Sequence, residues 1–117
     1  MDNINEYIDG EVVLSIEGKI EYLTSLIGKC HKILHLLEEE ATTHYSPKPF
    51  IYGQLVEINA ANSLFRGKLT NVIVKIKAVY DGCETLSFAD CRRQLLEASK
   101  ILKSLKKTLE VPTNGGV

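Results

Sequence analysis

Apolar side chains recur along three segments of the chain at alternating intervals of three and four residues. The segments span residues 13–41, 51–79 and 88–109. A seven-residue repeat with apolar first and fourth positions is typical of helices that pack as in a coiled coil. No segment keeps a period of two, so we expect no strands. The pattern therefore predicts an all-α chain.

The apolar positions of each segment define one predicted seam, by which that helix packs against its neighbours. The first seam comprises Val13, Ile16, Ile20, Leu23, Ile27, Cys30, Leu34, Leu37 and Ala41. The second comprises Ile51, Leu55, Ile58, Asn62, Phe65, Leu69, Val72, Ile76 and Val79. The third comprises Phe88, Cys91, Leu95, Ala98, Leu102, Leu105 and Leu109. Asn62 is the one polar residue in these seams, and a buried asparagine at such a position often fixes the register.

Helix-breaking residues separate the three segments. Pro47 and Pro49 end the first helix and begin the second. The stretch 81–86 contains Gly82, and Ser87 is a suitable N-cap for the third helix. We therefore predict helices at about 13–43, 49–80 and 87–110, which form one bundle at 13–110. An acidic N-terminal extension at 1–12 precedes the bundle, and a flexible tail at 111–117 follows it.

Short connections make successive helices antiparallel neighbours, which predicts an up-down-up three-helix bundle. The third helix ends near residue 110, so the layers that pair Leu37 with Leu55 and Ala41 with Ile51 lack a third member. A partner or a second copy of the chain could then complete the bundle to four helices.

Composition and charge narrow the class of protein. The chain has 117 residues, of which 44% are hydrophobic and 25% charged, as in one ordinary globular domain. No apolar run has the length of a membrane span, and the acidic N-terminus lacks a signal-peptide pattern. The three cysteines fit no metal or redox spacing. We expect an intracellular protein, cytoplasmic or nuclear, with reduced thiols and no membrane insertion.

The outward positions of the predicted second helix are poor in charge, whereas a solvated helix face normally carries many Lys, Glu and Arg residues. Small and apolar residues there allow the close approach of another helix. We predict a protein-docking face that comprises Gly53, Val56, Ala60, Ser63, Leu64, Gly67 and Val74. The open end of the first hairpin adds a second docking candidate, formed by Leu36, Leu37, Leu55 and Val56. The alternative for the second-helix face is a surface that tolerates such residues without binding a partner. The alternative for the hairpin end is that the terminal segments of the chain cover it.

Other polar clusters are weaker candidates for function. His31, His35 and Glu38 share one helix face and could hold a metal, but they show no fourth ligand, so a solvated face is favoured and no metal or cofactor is predicted. The third helix carries a basic face that could contact nucleic acid, formed by Arg92, Arg93, Lys100, Lys103 and Lys107. Aromatic residues for base stacking are absent from this face, and a solvated face that balances the acidic first helix is favoured. Residues 1–40 carry nine acids against three lysines.

These observations favour a non-catalytic protein–protein interaction module, a small bundle that docks into a multi-subunit complex or self-associates. No phosphate-binding glycine loop, nucleophile elbow or dinucleotide motif is present. In length and helix pattern the chain resembles small helical subunits of larger assemblies and also bacteriocin immunity proteins. One alternative is therefore an immunity-type bundle that neutralises one protein target. Another is a nucleic-acid-binding bundle that uses the third helix.

Overall fold

The computed structural model describes residues 5–8, 11–43 and 46–110, with side chains for 15–40 and 46–110. The predicted tail 111–117 lies outside the described residues, as do the side chains of Val13 and Ala41. The described elements, in chain order, are strands β1 (Asn5–Ile8) and β2 (Glu11–Leu14), helices α1 (Ile16–Thr43) and α2 (Lys48–Ala61), a 3-10 turn (Asn62–Phe65), and helices α3 (Thr70–Gly82) and α4 (Phe88–Glu110).

A short β-hairpin precedes the first helix, so the expectation of no strands is wrong. β1 and β2 pair antiparallel, with Asn5 opposite Leu14 and Ile8 opposite Glu11. Each strand has four residues, which is too short for a period of two to stand out. The first helix begins at Ile16 rather than 13, because the Ser15 side chain caps it by accepting the Gly18 amide at 3.0 Å.

The predicted second helix is two helices, so the expectation of an uninterrupted helix at 49–80 is wrong. α2 ends at Ala61 and continues as the 3-10 turn, and then Arg66 and Gly67 take left-handed backbone angles with φ of 55° and 79°. A left-handed residue cannot continue a right-handed helix. The chain therefore reverses here, and α3 begins at Thr70.

The Asn62 side chain holds this reversal together. Its Oδ1 accepts the Leu69 amide at 2.9 Å, and its Nδ2 donates to the Thr70 hydroxyl at 3.1 Å. Its main-chain carbonyl accepts the Gly67 amide at 2.9 Å. The sequence suggested a register-setting residue within a continuous seam. The structure instead places Asn62 at a chain reversal, where it satisfies polar groups of the turn.

The contacts between helices show how the reversal changes the bundle. Tyr52 at the start of α2 lies beside Tyr80 near the end of α3, with ring centroids 6.1 Å apart. α1 packs against α4, and α3 also packs against α4. The ammonium of Lys75 on α3 lies 2.8 Å from a carboxylate oxygen of Glu97 on α4. A compact helical bundle is confirmed, but the described residues contain four α-helices, not three, so the fourth comes from the chain itself.

Most of the predicted core is buried. In the second seam every apolar position is buried, and in the third seam the positions from Cys91 to Leu102 are buried. The first seam is displaced, because Leu26 and Ile33 are buried while Ile27 and Leu34 are only half-buried. α1 contacts α4 and also α2. A helix with two neighbours buries a broader stripe than a single two-position seam.

Two substitutions test the backbone of the reversal. Arg66→Gly should stabilise the fold, because it removes a left-handed penalty of about 1–2 kcal/mol and adds unfolded-state entropy worth only about 0.5–1 kcal/mol. Gly67→Ala should lower the free energy of unfolding by about 1 kcal/mol, because it adds a side chain at φ 79°. Urea unfolding measures both changes, provided that the dependence of the unfolding free energy on urea concentration is the same in each variant. A destabilised Arg66→Gly together with a neutral Gly67→Ala would contradict this backbone.

Candidate functional site

A groove runs between α2 and α3 on the side away from the core. It has a volume of about 600 Å³. We call it the α2–α3 groove, and it is lined by Tyr52, Leu55, Val56, Asn59, Ile73, Val74, Lys77 and Tyr80. This volume is within the range of about 300–1,000 Å³ that is common for ligand-sized clefts.

Three large side chains of the groove are exposed to solvent although they are hydrophobic. Tyr52 is 57% exposed, Val56 51% and Val74 59%. Their helices bury the opposite faces, which carry Ile58 on α2 and Ile76 on α3. Tyr52 and Val56 are four residues apart and thus share one face of α2. The reversal sets this face beside the Val74 face of α3, so apolar surface from two helices becomes continuous.

The polar groups around the groove are already partnered within the chain. Lys77 binds Asp81 at 2.8 Å, and the Asn59 amide donates to the Leu55 carbonyl at 2.8 Å. The Lys48 ammonium lies 4.8 Å from the centre of the Tyr80 ring, within cation–π range. The groove therefore offers apolar contact in its middle and charge at the end near Tyr80.

The predicted docking residues are distributed differently from the single stripe expected. Val56 and Val74 both line the groove, although the sequence placed them on one long helix. Ala60, Ser63 and Gly67 are exposed, whereas Gly53 and Leu64 are half-buried. The stripe from Gly53 through Gly67 to Val74 is interrupted, because the helix ends before Arg66.

The second docking candidate, at the open hairpin end, is largely covered. Leu55 is only 6% exposed and Ile51 is buried. Leu36 and Leu37 are half-buried, and Leu37 packs against the core. The sequence reasoning missed Tyr52, Ile73 and Tyr80 as groove residues. The signal that could have found Tyr52 was an aromatic residue on the outward face of α2, four positions before Val56.

The candidate metal ligands lie on an exposed face. His31 is exposed, and His35 is 63% exposed with its Nε2 2.9 Å from Glu39 and its Nδ1 3.9 Å from Glu38. Among the side chains that the structure describes, no group of three His, Cys, Asp or Glu residues is arranged to hold a metal ion. His31, His35 and Glu38 thus form a solvent-exposed polar face on α1.

The basic face of the last helix is solvent-exposed. Arg92, Lys100, Lys103 and Lys107 are all exposed. Arg93 is also exposed, but its guanidinium donates to the Asp90 carboxylate at 3.1 Å. The face therefore presents positive charge along α4, with Arg93 partly neutralised.

The thiols differ in accessibility. Cys30 and Cys91 are buried, and burial raises the pKa of Cys30 to about 11. Cys83 is half-buried, and its thiol lies 3.7 Å from the Tyr80 carbonyl oxygen. Burial raises the pKa of Cys83, with Glu84 and Glu40 adding to the effect and Lys48 opposing it. A raised pKa lowers the thiolate fraction at neutral pH, so none of the three resembles an activated nucleophile.

Comparison with known proteins gives no relative for this chain: no family model, no curated protein and no solved structure matches it. Within the described part of the chain, no helix combines the length and apolar character needed to cross a membrane.

The burial of the thiols predicts their order of reaction. In the native protein at pH 8, a thiol reagent should modify Cys83 slowly and leave Cys30 and Cys91 unmodified. All three should react at comparable rates in 8 M urea, because burial and its effect on pKa are then lost. Mass spectrometry after timed quenching measures this order. Modification of Cys30 before Cys83 in the native state would contradict the packing of α1.

Proposed function

We propose that the protein is a non-catalytic interaction module that binds a helix of a partner protein in the α2–α3 groove. The observation that carries this proposal is the exposure of Tyr52, Val56 and Val74 side by side in that groove. Exposed apolar surface that is contiguous across two elements usually marks an interaction site on a soluble protein.

We also infer an up-down-up-down order of the four helices. Tyr22 on α1 lies beside Phe65 of the 3-10 turn, and Lys29 lies beside Glu57 on α2, so α1 and α2 run in opposite directions. Tyr52 near the start of α2 lies beside Tyr80 near the end of α3, and Lys19 near the start of α1 lines one pocket with Leu109 near the end of α4.

The dimensions of the groove favour a helix over a second copy of the chain. Eight residues line it. A stable interface between two whole proteins engages about 20–30 residues on each side, so the groove alone is too small for a symmetric dimer. An amphipathic helix needs fewer contacting residues, because it inserts only three or four apolar side chains from successive turns. Lys48 near one end favours an acidic residue on the partner helix at that end, whereas Lys77 already binds Asp81.

The lining of the groove therefore predicts which side chains the partner helix carries. This helix presents apolar side chains at spacings of three and four, which enter between Tyr52, Val56 and Val74. It carries an acidic residue near the end that approaches Lys48, which lies over the Tyr80 ring. Docking into a multi-subunit complex and neutralisation of one protein target are both forms of this binding, and the identity of the partner distinguishes them.

Site-specific crosslinking tests the proposal in the cell that makes the protein. A photo-crosslinking amino acid at position 56 or 74 should capture the same protein, and one at position 100 on α4 should not. The captured protein, once purified, should bind the native chain. Val56→Lys with Val74→Lys should weaken that binding at least tenfold, because a charge replaces apolar contact at both walls.

A matched control is Lys100→Gln with Lys103→Gln on α4, which should leave the affinity unchanged. Circular dichroism should show native helix content in every variant, since Val56 and Val74 are exposed. The proposal fails if the valine variants bind the purified partner as tightly as the native chain. It also fails if the native chain self-associates through this groove, with the valine variants monomeric, because the occupant would then be a second copy.

A second candidate function is nucleic-acid binding by α4, favoured by the exposure of its cations. Under the helix-binding proposal, we expect an oligonucleotide to bind no tighter than about 10⁻⁴–10⁻⁶ M, the range of non-specific electrostatic contact. Fluorescence anisotropy between 50 and 200 mM salt measures this. Nanomolar binding that is lost in Arg92→Glu with Lys103→Glu and Lys107→Glu would favour the second candidate instead.

A further inference from the structure

A small pocket lies at the end of the bundle where α1 begins, α3 begins and α4 ends. It has a volume of about 160 Å³ and shares no residue with the α2–α3 groove. We call it the cationic pocket, and it is lined by Lys19, Leu23, Phe65, Arg66, Lys68, Leu105, Thr108 and Leu109. Three of these eight residues are cations, and four are large hydrophobic residues.

Among the described side chains, the three cations of the pocket have no carboxylate partner. Within the described residues, Lys19, Arg66 and Lys68 form no ion pair, and the same holds for six other cations. Lys29, Lys75, Lys77, Arg93 and Lys106 each have a carboxylate within 4 Å. Glu110 at the end of α4 is held by Lys106 at 3.9 Å. α3 begins beside this pocket with no acidic residue in its first turn, so its helix dipole adds positive potential. Like charges gathered without a partner favour an anion.

Arg66 occupies a backbone position that the fold would fill more easily with glycine. Its φ of 55° is left-handed, and the neighbouring Gly67 shows that glycine serves the same turn. Strained residues of this kind concentrate at binding sites, where the surrounding structure holds them in place. The arginine thus brings a guanidinium to the mouth of the pocket at a cost to stability. A guanidinium can bind a carboxylate through two parallel hydrogen bonds.

The floor of the pocket is apolar. Leu23 and Phe65 are buried, and Leu105 and Leu109 are half-buried. The Thr108 hydroxyl donates to the Ser104 carbonyl at 3.0 Å, so its proton is already used. A dry cavity of about 150 Å³ is known in another protein to hold one benzene molecule. The cationic pocket therefore has about the volume that a group of about six carbon atoms occupies.

We propose that the cationic pocket binds a carboxylate carried on a benzene-sized apolar group. The apolar group lies against Phe65 and Leu105, and the carboxylate lies among Lys19, Arg66 and Lys68. This chemistry has two sources, which are a free small acid and the carboxyl terminus of a peptide that ends in an aromatic residue. The proposal does not depend on the function of the α2–α3 groove.

A titration of the full chain with phenylacetate, followed by ¹⁵N–¹H correlation NMR of the backbone amides, tests the proposal. We expect saturable shifts in the amides of residues 19–23, 65–68 and 105–109. Phenylacetamide has the ring without the charge, and acetate has the charge without the ring. Both should bind at least tenfold more weakly than phenylacetate. A peptide that ends in Phe, tested with a free and with an amidated terminus, distinguishes the sources. A peptide terminus is favoured if the free-terminus peptide binds tighter than phenylacetate and amidation removes that gain, and a free small acid is favoured if phenylacetate binds tighter.

Variants separate binding from folding. Arg66→Gly should stabilise the turn, and yet it should weaken phenylacetate binding by about tenfold or more, because one charge-assisted contact is lost. Lys68→Gln should weaken binding similarly, and Lys100→Gln on the exposed face of α4 is the matched control that should not. The proposal is overturned if phenylacetate causes no saturable shifts up to 10 mM. Equal binding of phenylacetamide, or an unchanged affinity in Arg66→Gly, would overturn it as well.

Discussion

The left-handed turn at Arg66 and Gly67, braced by Asn62, is the constraint on which the other features depend. It divides one long stretch of helical sequence into two helices, α2 and α3, which pack against each other. Both halves then return their apolar faces to the same core, where Ile58 and Ile76 are each almost inaccessible to solvent. The same turn creates the α2–α3 groove on the outside and places Arg66 at the cationic pocket. One backbone conformation thus connects the core, the groove and the pocket.

Packing rather than intrinsic helix propensity stabilises the short helices. α2 has 14 residues and α3 has 13, which is marginal for an isolated helix in water. Both gain stability by burying one face against the longer α1 and α4. Their outer faces are free of this requirement, and there Tyr52, Val56 and Val74 are covered by no other described element. Apolar residues that stay more than half exposed contribute less to the stability of the free chain than buried ones, and this exposure motivates the proposal that they bind a partner.

The apolar spacing of the sequence predicts the buried residues well but misses the reversal of the chain between α2 and α3. The apolar spacing continues unbroken through Phe65 and Leu69, because these residues enter the core from either side of the turn. The seven-residue spacing predicts which residues are buried, but it does not indicate where the helix axis reverses. The local signals were Asn62 and the pair Arg66–Gly67, since asparagine favours turns and glycine adopts positive φ. In the candidate site, Val56 and Val74 were identified as outward-facing, but their position on opposite walls of one groove required the fold.

A distance between α2 and α3 tests the reversal most directly. An uninterrupted helix would separate residues 52 and 80 by roughly 42 Å, since each residue adds about 1.5 Å. The structure instead brings the Tyr52 and Tyr80 rings to 6.1 Å between centroids. Proton NMR of the native chain should therefore show nuclear Overhauser contacts between these two rings. The absence of such contacts, together with helical amide contacts that continue through residues 62–70, would contradict the account.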